Sequence, residues 1–534
     1  MANISLSLPR PRGHVRGLAY EWQALIIVMI GSFMTMLDAT AVNIALPKII
    51  TVFNAPVSAA QFVLTGYMIA LAVIMPASGY LSDTYGIKRL YLLSMFMFTV
   101  GSLLCGLAWD VSSLVFFRIL QGLGGGMLGP LGMTVIFRIV PLEKRPLVAS
   151  IFGVPMTLAP ILGPTVGGYL VQYVSWRVIF TLNIPVGALG LVLGWVLLRE
   201  TERIPNLHLD WRGFFLSGFG FATLLYGLQK GPALGWGHLQ TLSFLVGGCA
   251  LITLWVVVEL SDPQPLLELR ILKNPTYALG MGILFILTVG LFSSMLLLPI
   301  FLQNFRGLGA MKTGILMIPQ AVASGLVMPI TGQLYNRLGP RPLVVSGLIV
   351  LVFSSWRLSF LDLATPDSTL SMLLVLRGAA MGLCMMPVFT AAMNTLPGPL
   401  VARGSSLTNV LNQLFGALGT ALFITLLQTR QIYHQAMLAQ VVTPDLPGVR
   451  ATLAAVQRYL VQQGASLAQA RAAGGAALYQ QVAMRAAVMS FDDCFAIAAA
   501  ACLLAIVPAL FLNNTGIVSG RPADAMPREK RKCG

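Results

Sequence analysis

The chain is written in long apolar blocks. Stretches of roughly 20 mainly non-polar residues, the length that crosses a bilayer as a helix, recur fourteen times between charges and turn residues. The first covers 22–46, the seventh and shortest 213–229, and the last 493–512. An even count puts both ends of the chain on one side of a membrane. One sizeable hydrophilic segment, 428–490, interrupts the pattern before the last block. It is Ala- and Gln-rich, with amphipathic stretches at 451–463 and 476–488 that predict two short helices broken around Gly464 and Gly474-Gly475. Such a segment is either a cap over the outer mouth or a docking surface for an extracytoplasmic partner.

The blocks repeat. Gly79-Tyr-Leu-Ser-Asp83-Thr-Tyr-Gly86-Ile-Lys88, after the second span, returns as Gly332-Gln-Leu-Tyr-Asn336-Arg-Leu-Gly339-Pro-Arg341 after the tenth. Pro47, Pro76, Gly122, Pro141, Ser150 and Gly163 find counterparts in Pro299, Pro329, Gly378, Pro397, Ser406 and Gly419 at a nearly constant offset. The organisation predicted is a tail at 1–21, a six-helix bundle at 22–198, two added helices at 199–275, a second bundle at 276–512 and a basic tail at 513–534. Paired halves are the architecture of alternating-access transporters, with the binding site between them near the midplane.

Composition sharpens this picture. Hydrophobic residues make up 57% of the 534 and charged residues 10%, far below the quarter or so of a soluble domain, which excludes a water-soluble enzyme. The net charge of +16 would suggest nucleic acid in a soluble protein. Here most of the Lys and Arg fall in segments on the side of the termini, so the bias is a topology signal with that side cytoplasmic. No nucleic-acid partner is expected. The six cysteines show no CxxC pair or metal-ligand spacing, and no metal or cofactor is expected. The four histidines (His14, His208, His238, His434) fall in predicted loops, which argues against a buried histidine relay.

Charges inside spans are costly and point to function. Asp38 interrupts the first span and Arg118 the fourth, at comparable depths. Pairing is expected, with Thr40, Asn43 and Gln121 as polar neighbours. Burial favours a neutral carboxyl and an approaching arginine favours the anion, so proton occupancy at such a position follows conformation. Arg357 and Arg377, near the outer end of the eleventh span and in the twelfth, are further candidates to line a cavity. The fifth span gathers Gly153, Pro155, Pro160, Gly163, Pro164, Gly167 and Gly168, which reads either as close helix packing or as a hinge. The run Gly79, Asp83, Gly86, Lys88 and Arg89 reads as a plain positive-inside loop or, since it recurs, as a mechanical gate.

These residues resemble a known family. LDATAVNIALP (37–47), GYLSDTYGIKR (79–89), FFRILQGLGGG (116–126), GVPMTLAPILGPTVGG (153–168) and SWRVIFTLNIPVG (175–187) are similar to the motifs of the major facilitator superfamily, and within it to the 14-helix drug:proton antiporters of the EmrB/QacA type. The resemblance spans the whole chain. It implies an all-α membrane fold of two six-helix bundles plus two central helices. Asp38 and Arg118 would serve proton coupling, Asp83 and Arg89 the cytoplasmic gate, and Gly163, Pro164, Gly167 and Gly168 the antiport switch. Two positions depart from the pattern: Thr84 replaces a common basic residue, and Asn336 replaces the acidic residue in the second half, so the two gates are not expected to be electrostatically equal.

The expected activity is export of hydrophobic or amphipathic compounds across a bacterial inner membrane, driven by the proton gradient and needing no cofactor. Export of a single physiological solute is the alternative. The resemblance also implies a periplasmic adaptor and an outer-membrane channel as partners, with 428–490 as a contact region. A polytopic enzyme would need a nucleophile with its base or a metal set, which the residues do not supply.

Overall fold

In a bilayer every backbone N–H and C=O must find its partner within the chain, so apolar stretches of this length become helices. The computed structural model describes residues 19–201, 203, 210–442 and 446–512. The tail 513–534, most of the tail 1–21, and His14 and His208 lie outside the described residues. Every described element is helical. The first half comprises α1 (Tyr20–Phe53), α2 (Val57–Tyr85), α3 (Ile87–Gly106), α4 (Val111–Ile139), α5 (Arg145–Tyr173) and the short α6 (Val178–Thr181), continued by α7 (Asn183–Leu197). A hairpin of α8 (Trp211–Leu234) and α9 (Leu239–Ser261) follows. The second half comprises α10 (Pro275–Ile300), α11 (Ala310–Leu338), α12 (Pro340–Leu358), α13 (Asp367–Asn394), α14 (Val401–Val441) and α16 (Leu467–Leu510), with α15 (Pro447–Gln462) between the last two.

Among the described residues 13 spans are long and apolar enough to cross a membrane, with α6 and α7 together forming one. The less apolar α8, 24 residues long, completes the fourteen expected. The repeat is visible in the backbone. Gly86 and Gly339 each turn the chain sharply between two helices with φ of 92° and 79°, a conformation that suits glycine because it has no Cβ.

The segment 428–490 departs from expectation. The expected break at Gly474-Gly475 does not occur: α16 runs through both glycines for 44 residues. At about 1.5 Å per residue, helices this long are roughly twice the about 30 Å hydrocarbon thickness. The segment is therefore largely an outward extension of α14 and α16. A Cβ on Gly474 would stand 3.6 Å from Leu453 and 3.7 Å from Gln457 of α15, so α15 lies alongside this turn, and tertiary packing offsets the propensity cost of glycine, about 1 kcal/mol. The other expected break is present: the chain turns at Gly464, where φ is 88°.

Two seams join the halves. Along the first, α5 lies against α11 from end to end. A Cβ on Gly332 would stand 2.7 Å from the Leu147 Cα and the Pro146 carbonyl at the inner end, Gly153 packs on Met386 and Met328 midway, and Gly314 packs on Thr165 at the outer end. Along the second, α2 meets α14 closely at the inner end. Ser78 and Ser406 hydroxyls are 2.9 Å apart, and a Cβ on Gly79 would stand 2.9 Å from the Ala402 carbonyl. Further out, α8 enters between α2 and α14. The inner end is closed further by Ser405, which donates to the Pro130 carbonyl at 2.9 Å, and by Asn336, which donates to the Glu143 carbonyl at 2.6 Å.

Candidate functional site

The polar interruptions of the first and fourth spans meet inside the first half. Asp38 is 1% exposed and Arg118 0%. Arg118 Nη1 donates to Asp38 Oδ2 at 2.5 Å and to Gln121 Oε1 at 2.7 Å, and its Nε donates to the Val63 carbonyl at 3.2 Å. The other carboxylate oxygen, Oδ1, accepts from Gln121 Nε2 at 3.1 Å and from Asn183 Nδ2 at 3.0 Å. Asn183 also donates to Ser102 Oγ at 3.0 Å. The guanidinium carbon sits 3.9 Å over the Tyr67 ring. Thus α1, α2, α3, α4 and α7 converge on one carboxylate.

A charge buried this deeply persists because it is paired and hydrogen-bonded; removing one partner of such a pair typically costs about 3–5 kcal/mol. The crevice beside Asp38, lined by Ala41, Val166, Ile179 and Leu182 among others, has no room for a water-sized sphere. The carboxylate faces neither lipid nor either aqueous side.

Three of these partners were not expected. Asn183, Ser102 and Tyr67 sit in apolar runs whose inward face depends on helix rotation, although an asparagine in the sixth span was itself a signal. Conversely, Thr40 and Asn43 take no part in the cluster. On a helix of 3.6 residues per turn, steps of two and five residues from Asp38 lead to other faces. Thr40 Oγ1 returns to the carbonyls of Met36 and Leu37, and Asn43 donates to the Ala39 carbonyl on an exposed face.

The glycines of α5 press on α1 one turn beyond Asp38. A Cβ on Gly167 would stand 2.9 Å from the Ala41 carbonyl and one on Gly163 would collide with Thr40, while Gly168 faces open space. Pro155, Pro160 and Pro164 all lie inside α5. One helix therefore touches both the backbone next to the carboxylate and, on another face, the second half.

At the inner end Asp83 is fully buried and accepts from Arg138 Nη2 at 2.5 Å. Arg89 does not reach it; it lies 3.7 Å from Glu200 and is largely exposed. Lys88 Nζ donates to the Trp195 carbonyl at 2.6 Å, and its backbone N–H donates to Glu200 Oε1 at 3.1 Å. The basic residues of this loop thus tie the first half to itself, whereas Gly79 makes the contact with the second half.

Neither candidate cavity arginine lines the two crevices seen beside Asp38 and between α2, α8 and α14. Arg357 lies on the exposed outer end of α12. Arg377 is fully buried within the second half, donating from Nη1 to Ser355 Oγ at 2.6 Å and from Nη2 to the Gly290 carbonyl at 2.8 Å. His434, expected in a loop, is buried on the outer extension of α14, its Nε2 2.6 Å from Asp493 Oδ2. Among the described residues no group of three His, Cys, Asp or Glu could hold a metal ion.

Residues 28–420 match the Major Facilitator Superfamily. An uncharacterized MFS-type transporter, YhcA, of Bacillus subtilis is 34% identical over 92% of both chains. A multidrug resistance protein B homolog of Mycobacterium tuberculosis is 34% identical over 77% of both. The lincomycin resistance protein LmrB of Listeria monocytogenes is 31% identical over 76% of this chain and 86% of its own. Among solved structures, the proton:xylose symporter XylE has a TM-score of 0.58 at 14% identity, covering 93% of this chain and 96% of its own. The human organic anion transporter MFSD10 has a TM-score of 0.56 at 15% identity, covering 92% of this chain and all of its own. The fourteen-helix arrangement, the internal repeat and these matches agree: the chain belongs to the Major Facilitator Superfamily and is a multi-pass membrane transporter, not an enzyme.

Proposed function

We propose that this transporter exports hydrophobic or amphipathic compounds across a bacterial cytoplasmic membrane in exchange for protons, with Asp38 carrying the proton. One observation supports this above the rest: a fully buried carboxylate–guanidinium pair one helical turn from the point where the seam helix α5 presses on α1. A proton delivered to Asp38 removes the charge that holds Arg118 Nη1, and the contact at Gly163 and Gly167 passes the rearrangement to α5. Because α5 also packs along α11, the two halves change their relative tilt. Proton and substrate then each favour a different member of the inward- and outward-facing pair, and exchange follows from that population shift.

The names of two relatives, a multidrug resistance protein B homolog and a lincomycin resistance protein, support drugs as the substrate class. The proton gradient is the energy source and no cofactor takes part. The outer projection of α14, α15 and α16 is the contact region for a periplasmic adaptor and its outer-membrane channel. The test is transport in proteoliposomes under an imposed pH gradient. Asp38→Asn is expected to abolish gradient-driven export while leaving the protein folded; full gradient-driven export by this variant would overturn the reading.

A further inference from the structure

The second seam encloses a space that the proton site does not use. Where α8 enters between α2 and α14 it leaves a crevice of about 160 Å³, walled by Met68 and Ile69 of α2, Leu225 and Leu228 of α8, and Ala417 and Ile424 of α14. Its ends are defined. On the outer side Trp236, in the turn after α8, donates from Nε1 to Thr425 Oγ1 at 2.9 Å, and Phe62 stacks on Tyr226 with ring centroids 6.3 Å apart. On the inner side α2 and α14 close upon each other at Ser78 and Ser406. The added hairpin is thereby fastened to both halves, and the crevice lies at the junction of all three bodies.

We propose that this crevice binds an uncharged aromatic or alicyclic amphiphile, one ring deep in the protein and its polar end toward the exposed Gln229. Size is the first argument: an apolar cavity of about 150 Å³ takes up benzene and stays free of water. Chemistry is the second. No charged side chain lines the crevice, which disfavours an ionic ligand, since a charge moved there would lose its hydration without a counter-ion.

The two lining threonines have committed their hydroxyl protons, Thr65 to the Gln61 carbonyl at 3.1 Å and Thr420 to the Gly416 carbonyl at 2.8 Å. The side-chain amides of Gln413, half-buried, and Gln229, at the mouth, remain to offer both donors and acceptors. A few oriented polar groups in an apolar wall are the ordinary make-up of a small-molecule site. Position is the third argument. Because α2 and α14 belong to different halves, the distance between them changes when the halves tilt, so occupancy of the crevice senses the transport state.

This inference rests on the export reading, and the experiment separates the two. The full chain in lipid nanodiscs is titrated with the neutral aromatic amphiphile N-phenyl-1-naphthylamine. Ala417→Phe and Ala421→Phe place a ring in the crevice and are expected to weaken binding about tenfold or more, while Leu254→Phe on the exposed face of α9 leaves it unchanged. In parallel, Ile424→Cys is labelled with a maleimide, and the naphthylamine is expected to protect it, which keeps the test informative should a filled variant fail to fold.

Wild-type affinity in the filled variants, or no protection at position 424, overturns the proposal. So does labelling that rises on transfer from lipid to detergent but ignores the naphthylamine, because the occupant is then an acyl chain of the bilayer. Asp38→Asn, with transport uncoupled, is expected to retain the protection. Loss of coupling in that variant with no naphthylamine protection at position 424 sinks the crevice alone, and a protected crevice in a variant that still couples sinks the proton assignment alone.

Discussion

Each half of the molecule buries an arginine, and the two arginines have different partners. Arg118 meets the carboxylate of Asp38 on α1, whereas Arg377 meets the backbone carbonyl of Gly290 on α10 and the hydroxyl of Ser355 on α12. The repeat makes the comparison direct. The offset that aligns Pro47 with Pro299 aligns Asp38 with Gly290, and the one that aligns Gly122 with Gly378 aligns Gln121 with Arg377. A carbonyl accepts a hydrogen bond as a carboxylate does, but it does not exchange a proton near neutral pH. One architecture thus holds a carboxylate–guanidinium pair in the first half and a neutral strut between α10, α12 and α13 in the second.

The largest effect expected from breaking this comparison is in the first half. Arg118→Met leaves Asp38 buried without its cation and should destabilise the protein by about 3–5 kcal/mol, read as a shift in denaturant or thermal unfolding in detergent. Arg377→Met leaves the neutral Ser355 hydroxyl and Gly290 carbonyl behind, so about 1–3 kcal/mol is expected, with the pH-gradient dependence of transport unchanged. A folded Arg377→Met protein that has lost that dependence would show the second arginine to be part of proton coupling.

The comparison can also be sharpened by adding the missing carboxylate. A Cβ at Gly290 meets only Cys502 Sγ, at an ordinary 3.6 Å, so Gly290→Asp has room. It is expected to fold and to bring a second carboxylate to Arg377. Combined with Asp38→Asn it should remain uncoupled, because α10 lacks the contact with α5 glycines that α1 has. Restored gradient-driven export in the double variant would show that any buried carboxylate–arginine pair suffices.

The inner ends of the seams offer a smaller and more graded test. A methyl group at Gly332 runs into the backbone of Pro146 and Leu147, and one at Gly79 into Ser406 Oγ and the Ala402 carbonyl. Gly332→Ala is expected to open the inner end, shifting the closed state by about 1–3 kcal/mol, the usual cost of overpacking. The readout is maleimide labelling of cysteines placed on the inner faces of α5 and α11. Gly79→Ala should do somewhat less, since one of its close neighbours is a serine side chain that can turn aside while only the Ala402 backbone must shift.

Much of this was legible in the sequence because a charge in an apolar run is conspicuous. Asp38, Arg118 and Gln121 declare themselves by depth alone, and Gly86 and Gly339 by recurring at one turn. What lay hidden depended on rotation and on tertiary contact. The asparagine at 183 joins the cluster while the one at 43 turns away, and hydropathy gives the two the same weight. Gly474 and Gly475 read as a break because propensity is local, yet Leu453 and Gln457 pack there and the helix continues. His434 read as a loop residue because the extension of α14 is too polar to look like a span, although the same helix carries it past the bilayer.

The smallest expected effect lies in that extension, where a second aspartate–arginine pair provides a contrast in exposure. Asp493 Oδ2 accepts from Arg430 Nε at 2.5 Å and lies 2.6 Å from His434 Nε2, tying α14 to α16. The side chains of Asp493 and Arg430 are 27% and 37% exposed, against 0% for both members of the Asp38 pair. A pair so exposed is worth about 1 kcal/mol or less and is screened by salt. Asp493→Asn should therefore speed hydrogen exchange of the α14 amides beyond Arg430 by roughly fivefold and leave export intact. Molar salt should reproduce that change in the wild-type protein while leaving the amides around Asp38 protected. If salt loosened both regions equally, the first half would be open to solvent at its carboxylate, and the difference between a sealed ion pair and an exposed clasp would vanish.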